Sequence, residues 1–202
     1  MLNNCTIETG IPLKVMLIEE SILSSSILHK TLINEGYDVL VSGGFQDDTF
    51  KKASDINPDL IVVNVESPDK ELLSQMKLIN DTYPKPIVIF SEKGDSKMID
   101  SAVQAGVSAF IVDGLTANRI KPVLEVALAR FNNYSTLRHE LEKTKEDLAN
   151  RKIVEKAKGI IMKQRCCSED EAYKLLRKLA MDRNQKVVDV ANSVIEVSSL
   201  LM

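Results

Sequence analysis

Cysteine is scarce. Only three occur among the 202 residues, Cys5 and the adjacent Cys166 and Cys167. That is too few for a disulfide framework, and they lack the paired spacing of a zinc site, so reduced thiols are expected. Long apolar runs are missing as well. No stretch approaches the roughly 18–20 residues that span a bilayer, and Met1 to Gly10 carries neither the basic segment nor the apolar core of a secretory signal. A cytoplasmic protein without membrane association is therefore expected. The chain also lacks a Gly-rich phosphate loop, a nucleophile paired with a base, and a cluster of metal ligands. His29 and His139 each stand alone among non-ligand residues. Neither enzymatic activity nor a tightly held cofactor is expected.

A hydrophobic content of 44% and a charged content of 27% are those of a chain that folds. Its net charge of −3 is unevenly spread. Residues 151–202 hold 11 Lys or Arg against 7 Asp or Glu, a balance of +4, and the remaining 15 basic and 22 acidic residues make 1–150 −7. A basic tail behind an acidic front is the distribution expected where the tail meets a polyanion, although a solvated surface often looks the same.

From Leu13 to about Arg130, short apolar runs alternate with amphipathic segments. The runs are Leu13–Ile18, Asp38–Val41, Leu60–Val63, Ile87–Phe90 and Ala109–Val112. Each is nearly continuously apolar, as parallel strands covered on both faces are. Helix-length segments follow them at Ser21–Asn34, Gln46–Ile56, Lys70–Asp81, Ser96–Ala105 and Ala117–Phe131. Five strand–helix units predict an α/β domain of the flavodoxin-like kind, with a five-stranded parallel sheet. Ligands then sit beyond the carboxyl ends of the strands, at Glu19 and Glu20, Asn64, Ser91 and Asp113.

That spacing resembles the receiver domain of bacterial response regulators, as do Pro58-Asp59 before the third strand, Pro68 after it, and Gly106 to Phe110 leading into the fifth. The resemblance implies two acids for magnesium, a phosphate-accepting Asp, a Ser or Thr, and a Lys. Glu19, Glu20 and Ser91 keep their parts of this set. Asn64 does not: its neutral amide has no oxygen nucleophile with which to form an acyl phosphate. Asp113 places negative charge where the Lys would pair with a phosphoryl group. Residues 13–131 therefore read as a pseudo-receiver whose degenerate phosphorylation site is Asn64. A weak magnesium site at Glu19 and Glu20 competes with the reading that they are solvated loop acids, and Ser91 reads equally as a plain strand-end residue.

Residues 1–12 form a tail, and 132–150 a helical linker. Leu137, Leu141, Thr144 and Leu148 step by four, three and four there, the seam of a short coiled coil. A parallel homodimer is favoured over a helix packed back on its own chain, because an exposed Leu stripe calls for cover.

Residues 151–202 read as a three-helix bundle. The first helix runs to Arg165, and Ser168 to Glu171 has capping-box form and starts the second. The second helix carries the stripe Ala172, Leu175, Leu176 and Leu179. The third begins at Val187 and carries Val190, Ala191, Val194 and Val197. Ala157 to Met162, Ser168 to Tyr173, Leu175 to Arg177 and Val188 to Ala191 resemble the ANTAR domain. The receiver details, with Asp113-Gly114-Leu115 and Arg130-Phe131, look most like the nitrate/nitrite-responsive branch of that family. The resemblance implies a transcription antiterminator that binds paired hairpin loops in a nascent leader RNA, under the control of a partner sensor protein in place of a kinase.

The residues support RNA independently. Arg151, Lys158 and Arg165 are seven apart on one side of a helix, beside Lys152, Lys156 and Lys163. Lys174, Arg177 and Lys178 add charge, and Tyr173 offers a ring for a splayed loop base. The RNA-binding candidates are Lys158, Gly159, Lys163, Arg165, Tyr173 and Arg177. Gly159 inside a helix costs roughly 0.5–1 kcal/mol, which the close approach of a backbone or ligand would explain. Against this, a Lys/Arg row is often merely solvated, Tyr173 fits equally at a core edge, and Met162 reads as packing. Cys166 and Cys167 fall in a turn where they could sense oxidation. The alternative function is a phosphorylation-dependent response regulator with DNA or protein output, using a neighbouring acid such as Glu66 or Glu20. A third is an interaction scaffold without nucleic acid.

Overall fold

A computed structural model describes residues 12–19, 27–43, 49–113 and 115–200. The elements run β1 (Lys14–Glu19), α1 (Ile27–Asn34), β2 (Asp38–Gly43), α2 (Thr49–Ile56), β3 (Leu60–Val65), α3 (Lys70–Thr82), β4 (Ile87–Ser91), α4 (Ser96–Gln104), β5 (Ala109–Val112), α5 (Ala117–Arg165), α6 (Glu169–Arg183) and α7 (Val187–Leu200). The chain divides into two units, Met1–Tyr134 and Ser135–Met202.

In the first unit all five strands are parallel, in the order β2-β1-β3-β4-β5. Alternate residues of each central strand feed opposite layers, as the two-residue period of a strand requires. Val15, Leu17, Leu60, Val62, Val88 and Phe90 pack with Leu28 and Leu32 of α1 and with Ile120, Leu124 and Ala127 of α5. Met16, Ile18, Ile61, Val63, Ile87 and Ile89 face the other way, onto Leu72, Met76 and Ile79 of α3 and Ala102 of α4. Such two-sided burial is why these strands read as continuous apolar runs. Asp69 and Asp95 cap α3 and α4, each accepting a backbone N–H at 2.7 Å. Gly106 stands at φ +86, and a Cβ there would lie 2.4 Å from Asn80. Both facts require glycine.

The fifth helix differs from its sequence outline. The segments expected as a receiver helix, a linker and the first tail helix form one continuous helix, α5, because no Gly or Pro interrupts residues 132–150 and nothing local stops the turn. In the second unit, Ala157 and Ile161 of α5, Ala172, Leu176 and Ala180 of α6, and Val190 and Ala191 of α7 form a small core. The anticipated capping box is present. Ser168 N–H donates to Glu171 Oε2 at 2.9 Å, and Glu171 N–H donates back to Ser168 Oγ at 3.4 Å. Asn184 closes α6 in the left-handed region at φ 51, which Asn tolerates better than most residues. The outer end of the α7 stripe departs from expectation: Val197 is 56% exposed and Ser198 is buried in its place. Among the described residues, no helix is long and apolar enough to cross a membrane.

Candidate functional site

The parallel register brings Glu19 opposite Asn64 and Val65 opposite Ser91, so Glu19, Asn64 and Ser91 lie at the same end of the sheet. Glu19 is only 4% exposed. Asn64 Nδ2 donates to its Oε1 at 3.2 Å; an ionised carboxylate only accepts, so the amide must present nitrogen. Ser91, also buried, turns its hydroxyl to the backbone, 2.6 Å from the Lys93 carbonyl and 3.0 Å from that of Glu66. Asp113 is exposed at φ 48 and donates its N–H to the Ser91 carbonyl. Glu20 lies outside the described residues.

Magnesium demands near-octahedral oxygen ligands. Glu19 has one carboxylate oxygen engaged by the Asn64 amide, and the Ser91 hydroxyl is engaged with main-chain carbonyls. Among the described residues, no group of three or more His, Cys, Asp or Glu could hold a metal. A nearby cation, Lys93, was not singled out from sequence. It pairs with Glu66 on the surface, and this hydrogen bond lowers the Glu66 carboxyl and raises the Lys93 ammonium from their ordinary values.

In the second unit the candidates separate. Lys163, Arg165 and Arg177 are exposed, and Tyr173 is 45% exposed. Lys158 is not. It is 7% exposed, and its Nζ lies 2.7 Å from Glu155 Oε1 and 2.6 Å from Glu169 Oε1. The basic row Arg151, Lys158, Arg165 is thus broken at its centre, because residue 158 turns inward to α6. The hydrogen bonds that Lys158 donates to Glu155 and then to Glu169 hold its ammonium above the ordinary value, and Lys158 in turn lowers Glu169. The same ammonium stands 5.9 Å from the centre of the Tyr173 ring, within cation–π range. Glu155 and Glu169 were not singled out from sequence; the i,i+3 spacing of Glu155 and Lys158 was the available signal. At Gly159 an added Cβ would meet nothing within 4 Å. The protein's own packing therefore gives no reason for glycine there.

On the stretch of α5 belonging to this unit, Leu137, Leu141 and Leu148 are 66%, 55% and 55% exposed. Among the described residues, none covers this seam fully. Cys166 is exposed at φ 49, and Cys167 is half-buried against the small core.

Residues 142–195 match the family model described as the ANTAR domain. The match starts inside the segment expected as linker, where α5 has no break. The chain is 28% identical to the transcriptional regulatory protein PdtaR of Mycobacterium tuberculosis over 189 residues, 94% of this chain and 92% of that one. To the nitrate regulatory protein of Klebsiella oxytoca it is 32% identical over 88 residues, 44% of this chain and 22% of that one. Among solved structures, a response regulator from Thermotoga maritima covers 59% of this chain and 99% of its own, with a TM-score of 0.52 and 18% identity. That likeness is one of fold.

Proposed function

Because this chain belongs to the ANTAR regulators, a receiver-like domain followed by an ANTAR domain, we propose that it is a non-enzymatic transcription antiterminator. It binds loops of paired hairpins in nascent leader RNA and lets polymerase pass a terminator. The observation that carries this reading is the exposure of five cations, Lys163, Arg165, Lys174, Arg177 and Lys178, in the same unit as the half-exposed Tyr173. A-form RNA hides its base edges in a deep groove, whereas loop bases can be splayed onto an aromatic ring while cations hold the backbone. Lys163, Arg165, Tyr173 and Arg177 are the contact residues in this reading, and Gly159 lets the RNA backbone approach α5.

Control comes from a partner sensor protein and not from phosphate. Asn64 cannot form an acyl phosphate, Asp113 opposes a phosphoryl group, and neither magnesium nor another cofactor takes part. Sensor and RNA compete for one conformational state of the regulator, each shifting the population by its differential affinity.

The active species is a parallel homodimer through the Leu137–Leu141–Leu148 seam. With Leu141 and Leu148 at a positions, Glu140 and Asp147 fall at g, and Lys145 and Lys152 at e. In a parallel pair, g meets the following e of the second copy, so Glu140 faces Lys145 and Asp147 faces Lys152. An antiparallel pair would set like charges together.

Gel-shift titration of the full chain with a leader RNA containing two hairpins tests the reading. Affinity falls steeply with salt, and Arg165→Ala and Arg177→Ala each lower the slope of log affinity against log salt by about 1. Slopes left unchanged in both variants remove the site assignment, and phosphate incorporation from a small phosphodonor removes the control assignment.

A further inference from the structure

The start of α6 and the start of α7 frame, with α5, a hollow of about 490 Å³ whose polar lining is Asn150, Arg151, Glu155, Lys158, Glu169 and Asp170, with Tyr173 at its side. Its chemistry differs from the rest of the basic module. Three carboxylates face two cations, and one of those cations is already committed: the Lys158 ammonium spends two of its three N–H groups on Glu155 and Glu169. A phosphate would meet excess negative charge here. Each of these two glutamates uses one oxygen on Lys158, which leaves the second to accept. Tyr173 has Lys158 on one side and remains 45% exposed.

An aromatic plate edged by acceptor oxygens suits a flat ring whose rim carries N–H donors. We propose that this hollow takes one unpaired, amine-bearing RNA base, adenine, guanine or cytosine, stacked on Tyr173 and read by Glu155 and Glu169. Lys158 is a positioning residue there, holding two like-charged groups side by side while touching no phosphate. Uracil is disfavoured because it has no exocyclic amine and its one edge donor, N3–H, is flanked by two carbonyls that a carboxylate, which can only accept, would repel. The assignment rests on the RNA-binding reading above and specifies what that site selects.

The test uses the full chain and a stem-loop RNA with a randomised loop. Enriched hairpins are resynthesised with each loop base changed in turn to uridine, and affinities are read by fluorescence anisotropy. One position is expected at which uridine weakens binding about tenfold, within the range of a good carboxylate–base contact. Glu169→Gln and Glu155→Gln, with melting curves confirming that they fold, each shrink that penalty to about twofold. Lys158→Met weakens binding to all loops with the wild-type salt slope intact, whereas a phosphate contact would lower the slope by about 1. The proposal is overturned if uridine is tolerated everywhere, if the penalty survives in both Glu variants, or if the slope falls in Lys158→Met. Saturable binding of adenosine, guanosine or cytidine monophosphate alone at micromolar concentration also overturns it, since the ligand would then be a free nucleotide. No enrichment of any hairpin would instead remove the RNA-binding reading itself.

Discussion

Asn64 and Glu19 lie opposite each other on neighbouring strands, and the Asn64 amide donates to the Glu19 carboxylate across 3.2 Å. The contact satisfies a carboxylate that is almost fully buried, using a group that offers no nucleophile. Asn64 thereby ties the end of β3 to the end of β1.

Asn64→Asp replaces that donor with a second carboxylate facing Glu19. Losing this hydrogen bond costs about 0.5–1.5 kcal/mol, and like charge adds to the loss. Calorimetric melting is expected to show a lower transition for the first unit, partly restored by millimolar magnesium in the variant and unaffected by magnesium in the wild type. A magnesium-dependent wild type would contradict the account.

Ser168→Ala removes the hydroxyl that accepts the Glu171 N–H. Loss of such a cap costs about 1 kcal/mol. Denaturant unfolding of the second unit and faster amide exchange in the first turn of α6 are the readouts.

Gly159→Ala meets no atom of its own chain. The substitution is expected to stabilise the second unit by roughly 0.5–1 kcal/mol and at the same time weaken RNA binding. A stabilised variant with undiminished affinity would leave the glycine without a role in RNA approach.

The Lys158 cluster sets a pH window. Glu169 is held below its ordinary carboxyl value by Lys158, so its contribution is present above about pH 4.5 and is lost as pH falls through the lower folded value. Lys158 is held above 10.5, so its contribution is full below that pH and disappears as pH rises through the higher folded value. Glu171 is held down by the Ser168 backbone N–H and adds to the acid limb. The melting transition of the second unit against pH should show a plateau between the limbs, with Lys158→Met losing the alkaline limb and keeping the Glu171 share of the acid one.

Lys145→Glu places like charge opposite Glu140 in a parallel pair and is expected to weaken the dimer. Adding Glu140→Lys restores it. Sedimentation equilibrium of the single and double variants provides the check, and no rescue in the double variant would argue against this register.

The sheet was legible because its signal is strong. Val15 to Ile18 and Leu60 to Val63 are apolar at every position, and only two-sided burial asks for that. The capping box at Ser168 was legible because its chemistry is local. The continuity of α5 was less so, since nothing in residues 132–150 marks where one helix should give way to another. Lys158 shows where sequence reading stops. Its spacing from Arg151 and Arg165 places it correctly on the helix, but the direction of a long side chain depends on what stands across from it. Glu169 is on another helix, and no period within α5 encodes it. Val197 and Ser198 exchanged roles for a similar reason: a three-helix core this small runs out before the end of α7.

The Ser91 hydroxyl has a single hydrogen, and it is directed to main-chain oxygens after β3 and β4, those of Glu66 and Lys93. On the proposed reading, phosphate relay here would need a carboxyl at 64, a cation at 113 and a loop that lets this hydroxyl go, and the first of these alone sets a second carboxylate against Glu19.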